Sequence, residues 1–210
     1  MDAEQETRRN PYGMDEDCRN CPGLCDTRER VVHGYGDVGA DFVFVGESPS
    51  AASEAAGVPF VGDDAGETLQ FILGSVGLNY SLPSSTEPEL ENAYVTYLAR
   101  CRHPDRAATD EEVRTCEPYL NADVRMINPE VLVPVGQRAL TELGEEYTTE
   151  PAAELDVEEL HASTVRGRGF ELAPMVHPGE QTEAQTDEWI EFFLDLQDTD
   201  YRQTKGRRGR

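Results

Sequence analysis

Three groups of residues in this chain have the types and spacing to do chemistry. The first is Glu47. It stands just past a short apolar run, Phe42 to Val45, within Gly46-Glu47-Ser48-Pro49. Gly46 permits a tight turn and Pro49 fixes the backbone, so a carboxylate is presented at a strand exit. Ligands of open α/β sheets bind outside such exits. Pro59-Phe60-Val61-Gly62 follows after a loop of small residues. A carboxylate near an aromatic ring can activate water beside a flat ligand. The second group is His177-Pro178-Gly179, delivered at the end of another apolar run, Phe170 to Val176.

The third group is the cysteines. Cys18 and Cys21 form a C-x2-C pair, Cys25 follows, and Cys101 and Cys116 lie far downstream. Outside oxidising compartments such a pair reads as metal or redox chemistry rather than a structural disulfide. With Cys101 and Cys116 it offers four thiolates. Four thiolates suit a [4Fe–4S] cluster or, as runner-up, a structural zinc. Such a centre would clamp the N-terminal segment onto the body. Cys25 is the odd one out, a free thiol or a replacement for Cys21. His33, in a Gly-rich turn, reads as a loop hydrogen-bonder.

The elements that must position these groups alternate. Phe42 to Val45, Ala93 to Ala99, Val131 to Val135 and Phe170 to Val176 read as buried strands. Between them, Leu69, Ile72, Leu73 and Val76 mark one helical face, stopped by Gly77. Val113, Cys116, Leu120, Val124 and Ile127 mark a second, capped by Thr109 or Asp110. A third helix runs through Ala139 and Leu143, and a last one through Trp189, Ile190, Phe193 and Leu196. The stretch 145–159 reads as acidic and irregular. This pattern predicts a three-layer α/β/α fold around a central, mainly parallel four-stranded sheet. In such a sheet Glu47 and His177 share one edge. One domain is expected over residues 15–200, with a disordered tail at 1–14 and a basic tail at 201–210.

Aspartate and glutamate outnumber lysine and arginine by 42 to 18, and Lys205 is the only lysine. So much acid ordinarily argues against a nucleic-acid partner. Spread along the whole chain, it is the surface of a protein that works in concentrated salt, a halophilic character. No apolar run reaches the ~20 residues of a membrane span, and no signal-peptide pattern opens the chain. A soluble, cytoplasmic protein is expected.

Four features now stand in order: the C-x2-C opening, Gly-Glu-x-Pro with Pro-Phe-Val-Gly, strand-Arg-Cys-Arg with a later cysteine, and a terminal strand ending in His-Pro. This order resembles the uracil-DNA glycosylase superfamily, specifically its iron–sulfur family 4 type, over residues 17–179. The acidic composition points to a haloarchaeal member. The resemblance implies a DNA-repair hydrolase that releases uracil or another deaminated base. Its partner would be DNA containing such a base, and it would act as a monomer. It implies that Cys18, Cys21, Cys101 and Cys116 hold a structural [4Fe–4S] cluster. Glu47 then activates water, Phe60 stacks on the flipped base, and His177 stabilises the departing anion. Ser48 contacts the substrate, and Pro178 and Gly179 press on the DNA backbone.

Two positions depart from the family pattern. Ser50 stands where the first motif ends in glycine. Tyr97 stands where an asparagine reads the edge of uracil, and one hydroxyl cannot make that two-point contact. Two other readings follow from these departures and from the acidity. One is a glycosylase-fold DNA-binding scaffold that has lost catalysis; the other is a zinc-stapled α/β domain unrelated to DNA.

Overall fold

The computed structural model describes residues 5–199 and 201. In chain order these form α1 (Pro22–Cys25), β1 (Tyr35–Gly36), β2 (Phe42–Gly46), α2 (Ala51–Ala56), α3 (Asp64–Ser75), β3 (Ala93–Tyr97) and α4 (Asp110–Ile127). Then come β4 (Val131–Pro134), α5 (Gln137–Tyr147), a 3-10 turn (Ala152–Glu154), α6 (Val157–Leu160), β5 (Val165–Arg166), β6 (Glu171–Leu172) and α7 (Glu183–Asp198).

The sheet order is β1-β3-β2-β4-β6-β5. The pairings β2–β3, β2–β4 and β4–β6 are all parallel, which are the four strands expected from the apolar runs. The sheet is nevertheless six-stranded, because β1 and β5 add antiparallel edges. Each is two residues long, too short for any alternation to register in the sequence. The central strands are apolar on both faces because both faces are covered. Phe42, Phe44, Val95 and Val133 pack with Leu69, Ile72 and Leu73 of α3 and Trp189 and Phe193 of α7. On the opposite face, Val43, Val45, Tyr94 and Leu132 pack with Val113, Leu120 and Val124 of α4 and Ala139 and Leu143 of α5. These are the three layers. No helix among the described residues is long and apolar enough to cross a membrane.

Three local expectations change. The stretch 145–159, expected to be irregular, carries the end of α5, the 3-10 turn and the start of α6. The small-residue stretch after Pro49 is a helix, α2, not a loop. The Ser50 hydroxyl accepts the Ser53 N–H at 3.1 Å, and Gly57, at φ +70°, ends the helix in the left-handed region. Ser50 therefore has a structural use that a glycine would not supply. The segment 5–14, expected as a disordered tail, lies along the sheet edge. Gly36 N–H donates to the Arg8 carbonyl and Asn10 N–H to the Gly34 carbonyl, each at 3.0 Å. β1 is an edge strand whose backbone groups need partners, and this segment provides them. Residues 1–4 and the basic tail beyond Tyr201 fall outside the described residues.

Helix α4 opens with the capping box anticipated at Thr109. Its hydroxyl accepts the Glu112 N–H, and the Glu112 carboxylate accepts the Thr109 N–H at 2.8 Å. Glu112 also takes a two-pronged contact from Arg106, both distances 2.7 Å. That Arg106 fork holds the Glu112 carboxyl well below its usual 4.5, at about 2. Because the folded value lies below the unfolded one, the unfolded chain binds more protons between the two. The contribution is complete above about 4.5 and is lost as pH falls toward 2. Glu112→Gln keeps the capping geometry and removes this charge. Its stability deficit against the parent, read from denaturant midpoints, should therefore shrink as pH falls from 5 toward 2–3. A deficit that does not change with pH would show that the Arg106 contact contributes nothing.

Candidate active site

The parallel strands bring their carboxyl ends into one row, and the backbone ladder runs past them. Ala99 N–H donates to the Glu47 carbonyl (2.9 Å), Val135 N–H to that of Val45 (2.9 Å), and Gly136 N–H to that of Met175 (2.8 Å). Glu47 and His177 thus lie on the same sheet edge, on either side of the β4 exit. Gly136, at φ +88°, makes that exit, and a Cβ there would meet the His177 Cβ at 3.4 Å. Glu47 is half-buried, as is Ser48 beside it.

The charge of Glu47 acts on Arg138, which sits in the first turn of α5. Arg138 also pairs with Asp110 at 2.7 Å and Glu142 at 2.9 Å. Sequence reasoning missed this cation. Its one available signal was a position two residues past the glycine that ends a strand.

His177 is oriented by its own loop. Its Nδ1 accepts the Gly179 N–H at 3.2 Å, so the neutral ring carries its proton on Nε2, a free donor. The backbone before it is braced from two sides. Val176 N–H donates to His161 Nδ1 at 3.0 Å, and Gln181 Nε2 donates to the Val176 carbonyl at 2.6 Å. His161 is a positioning residue that the sequence reading did not single out. Pro178 is buried, while Gly179 is exposed and sits against Ala65 at the start of α3.

Phe60 and Tyr97 meet above Gly46, where a Cβ would lie 2.5 Å from the Phe60 ring and 3.1 Å from that of Tyr97. Their ring centroids are 4.8 Å apart with planes 37° from parallel. Phe60 is 5% exposed and Tyr97 2%. Tyr97 Oη accepts the Phe60 N–H at 2.9 Å and donates to Ser53 Oγ at 3.2 Å. Phe60 has φ +54°, an uncommon conformation for a bulky residue. It is held there by Tyr97 on its amide and by Gln70 Nε2 on its carbonyl at 3.2 Å. Strand alternation therefore turns Tyr97 toward Phe60 and sends Thr96 and Leu98 to the other face.

On the far side of β3, Cys18, Cys21, Cys101 and Cys116 line one small void together with Arg28 and Tyr119, and Cys25 is not among its walls. Cys25 instead points its sulfur toward the Cys18 carbonyl at 3.8 Å. Arg28 Nη1 donates to Cys101 Sγ at 3.2 Å, and Nη2 donates to the Cys18 carbonyl. Burial, then the charge of the neighbouring thiols, pushes Cys21 up to about 11. Burial pushes Cys101 up to about 12 against the pull of Arg28. Among the described residues, no three His, Cys, Asp or Glu side chains converge closely enough to hold a single metal ion. His33 is buried against Tyr119, with Nε2 donating to the Asp15 carbonyl at 2.9 Å, the hydrogen-bonding part expected of it.

Behind the cysteines lies a buried ion pair. Arg100 Nη2 meets Asp123 Oδ2 at 2.6 Å, with the two side chains 1% and 0% exposed. Tyr94 and Thr96 hydroxyls donate to the same carboxylate, each at 3.0 Å. Arg100 Nη1 donates to Thr96 Oγ1, and the Arg100 N–H donates to Cys116 Sγ at 3.3 Å. The network ties β3 to α4 directly beneath the sulfur-lined void.

The sequence of the chain is similar to those of known proteins. The family model described as the uracil DNA glycosylase superfamily matches residues 33–197. The chain is 38% identical over 123 residues to the type-4 uracil-DNA glycosylase of Archaeoglobus fulgidus, covering 58% of this chain and 56% of the relative. It is 36% identical over 125 residues to that of Thermotoga maritima, covering 59% of each. It is 34% identical over 136 residues to the type-5 uracil-DNA glycosylase of Thermus thermophilus, covering 55% of this chain and 61% of the relative. Each match spans less than two thirds of the relative's own length.

Proposed function

Because the chain belongs to the uracil DNA glycosylase superfamily, we propose that it hydrolyses the N-glycosidic bond of uracil, or of another deaminated base, in DNA and leaves an abasic site. The observation that carries this reading is the shared sheet edge of Glu47 and His177, separated only by the β4 exit at Gly136. Breaking the bond makes a cation-like sugar and an anionic base. Glu47 positions the attacking water and offsets the sugar's charge. His177, with its proton on Nε2, donates to the base oxygen on which negative charge develops. Ser48 contacts the base, Phe60 is the aromatic ring the base would reach, and the Pro178-Gly179 turn meets the DNA backbone through its exposed Gly179. The base must leave the helical stack to reach the site. The protein acts as a monomer in the cytoplasm, and its acidic surface suits concentrated salt.

The four thiols fit a [4Fe–4S] cluster better than a single zinc. They ring one void, yet no three close on one ion-sized point. Zinc needs its sulfurs at ~2.3 Å from a common centre, whereas a cubane spreads its four ligands more widely. Arg28 supplies positive charge beside an anionic centre. Bound there, the cluster would cross-link the segment just before α1, the β3 exit and α4. Protein purified without oxygen should be brown, with iron and labile sulfide in equal amounts. Cys116→Ala should lose both and unfold more readily, while Cys25→Ala should keep both. A colourless protein with stoichiometric zinc would rule the cluster out.

The activity is tested on a uracil-containing oligonucleotide in molar potassium chloride, with strand scission at abasic sites as readout. Cleavage at the uracil position is the expected result. DNA binding without base release would select the scaffold reading, which draws support from the Tyr97 ring lying over Phe60.

A further inference from the structure

Tyr97 does more than fail to supply an asparagine's two contacts. Its ring packs against Phe60 at a tilt, with centroids 4.8 Å apart and planes 37° from parallel. Its oxygen takes the Phe60 amide N–H at 2.9 Å and meets the Ser53 hydroxyl at 3.2 Å. An amide donor and a hydroxyl around one oxygen, beneath an aromatic face, form a recognition site for a planar six-membered ring bearing a carbonyl or hydroxyl oxygen. Both aromatic side chains are almost wholly buried, so that site is already full. Gly46 lies under both rings, where a Cβ would meet Phe60 at 2.5 Å and Tyr97 at 3.1 Å.

We propose that Tyr97 is a built-in occupant of the base pocket, and that a base enters only when the phenol ring leaves Phe60 and Ser53. The proposal rests on the glycosylase reading only for the identity of the incoming base. The pocket's chemistry stands on Phe60, Ser53 and Gly46 alone. Displacement is a toll on every base, since apparent affinity falls by the fraction of molecules with the pocket open. The toll is the same for uracil and its competitors, so it slows the enzyme without sharpening its choice. Ser53, on α2, becomes the second polar contact of whatever ring replaces the tyrosine.

The test uses the holoprotein in molar potassium chloride with two probes, phenol and free uracil, and reads the melting temperature. Tyr97→Ala, checked for secondary structure and metal content, should melt below the parent and be raised by both probes. Binding only to the folded state stabilises it in proportion to the logarithm of probe concentration. The parent and Tyr97→Phe, whose ring still fills the slot, should not move. Over the range of uracil that saturates Tyr97→Ala, the parent should fill to roughly a tenth or less, too little to move its melting temperature. A folded Tyr97→Ala that takes up neither probe would overturn the proposal. So would a saturable uracil shift in the parent, an arm that does not depend on any variant folding. Uracil release from DNA is assayed in parallel. If the probes fill Tyr97→Ala but no protein releases uracil, the occupant stands and the glycosylase reading falls. If the parent releases uracil and Tyr97→Ala binds neither probe, the reading stands and the occupant falls.

Discussion

Replacing Glu47 by alanine is expected to lower the single-turnover rate of base release by roughly 10²–10⁴-fold, the usual contribution of a positioned acid–base group. DNA affinity should stay close to that of the parent. The expectation rests on where the carboxylate is held. Its backbone is fixed, with the carbonyl accepting the Ala99 N–H, and its side chain stays half open at the sheet edge. A residue in that position can reach solvent water on one side and a sugar on the other. Among the described residues Arg138 pairs with Asp110 and Glu142, and no ion pair within 4 Å engages Glu47. Glu47→Gln separates the two parts of the role. It keeps the hydrogen-bonding shape and removes the charge, and should be nearly as slow if charge is what matters. An unchanged single-turnover rate in Glu47→Ala would remove the residue from the mechanism.

Asp123→Ala should destabilise the fold by about 3–5 kcal/mol, the cost of leaving a buried charge without its partner. Arg100 cannot shed its proton to escape. It is 1% exposed, and its Nε already lacks a partner. The substitution also strands the Tyr94 and Thr96 hydroxyls, both buried and both aimed at the lost carboxylate. A loss of that size is a large share of the ~5–15 kcal/mol that holds a domain together. Because Arg100 N–H also reaches Cys116 Sγ, metal content should fall with stability. The paired change Arg100→Met with Asp123→Leu removes both charges and should recover most of the loss. Denaturant midpoints at constant slope read the effect. A single variant within ~1 kcal/mol of the parent would mean that water reaches Arg100 and the pair is not truly buried.

The α/β architecture and the row of strand exits were legible in the sequence, because apolar runs and helical spacing are local signals. Phe42–Val45 is apolar at every position only because it is covered on both faces, so the run announced a central parallel strand. Once four such strands were parallel, Glu47 and His177 had to share an edge. The cysteine spacing likewise named four sulfurs before any contact was known, and they do line one void.

What the tertiary structure alone decided is which side chains meet across long separations. Asp123 and Arg100 are partners only because one turn of α4 faces the exit of β3. In the sequence each is an ordinary surface-type charge. Arg28 reads as one charge among many until α1 folds it against Cys101. Tyr97 could be placed at the right position but not on the right face, since a one-residue slip reverses every side chain of a strand. The register of β3 against β2 pairs Tyr97 with Gly46, and the absence of a side chain there lets Phe60 and Tyr97 close over Gly46. A glycine, a left-handed phenylalanine and a serine on a helix read as a loop set that contact, and no periodicity in the chain records it.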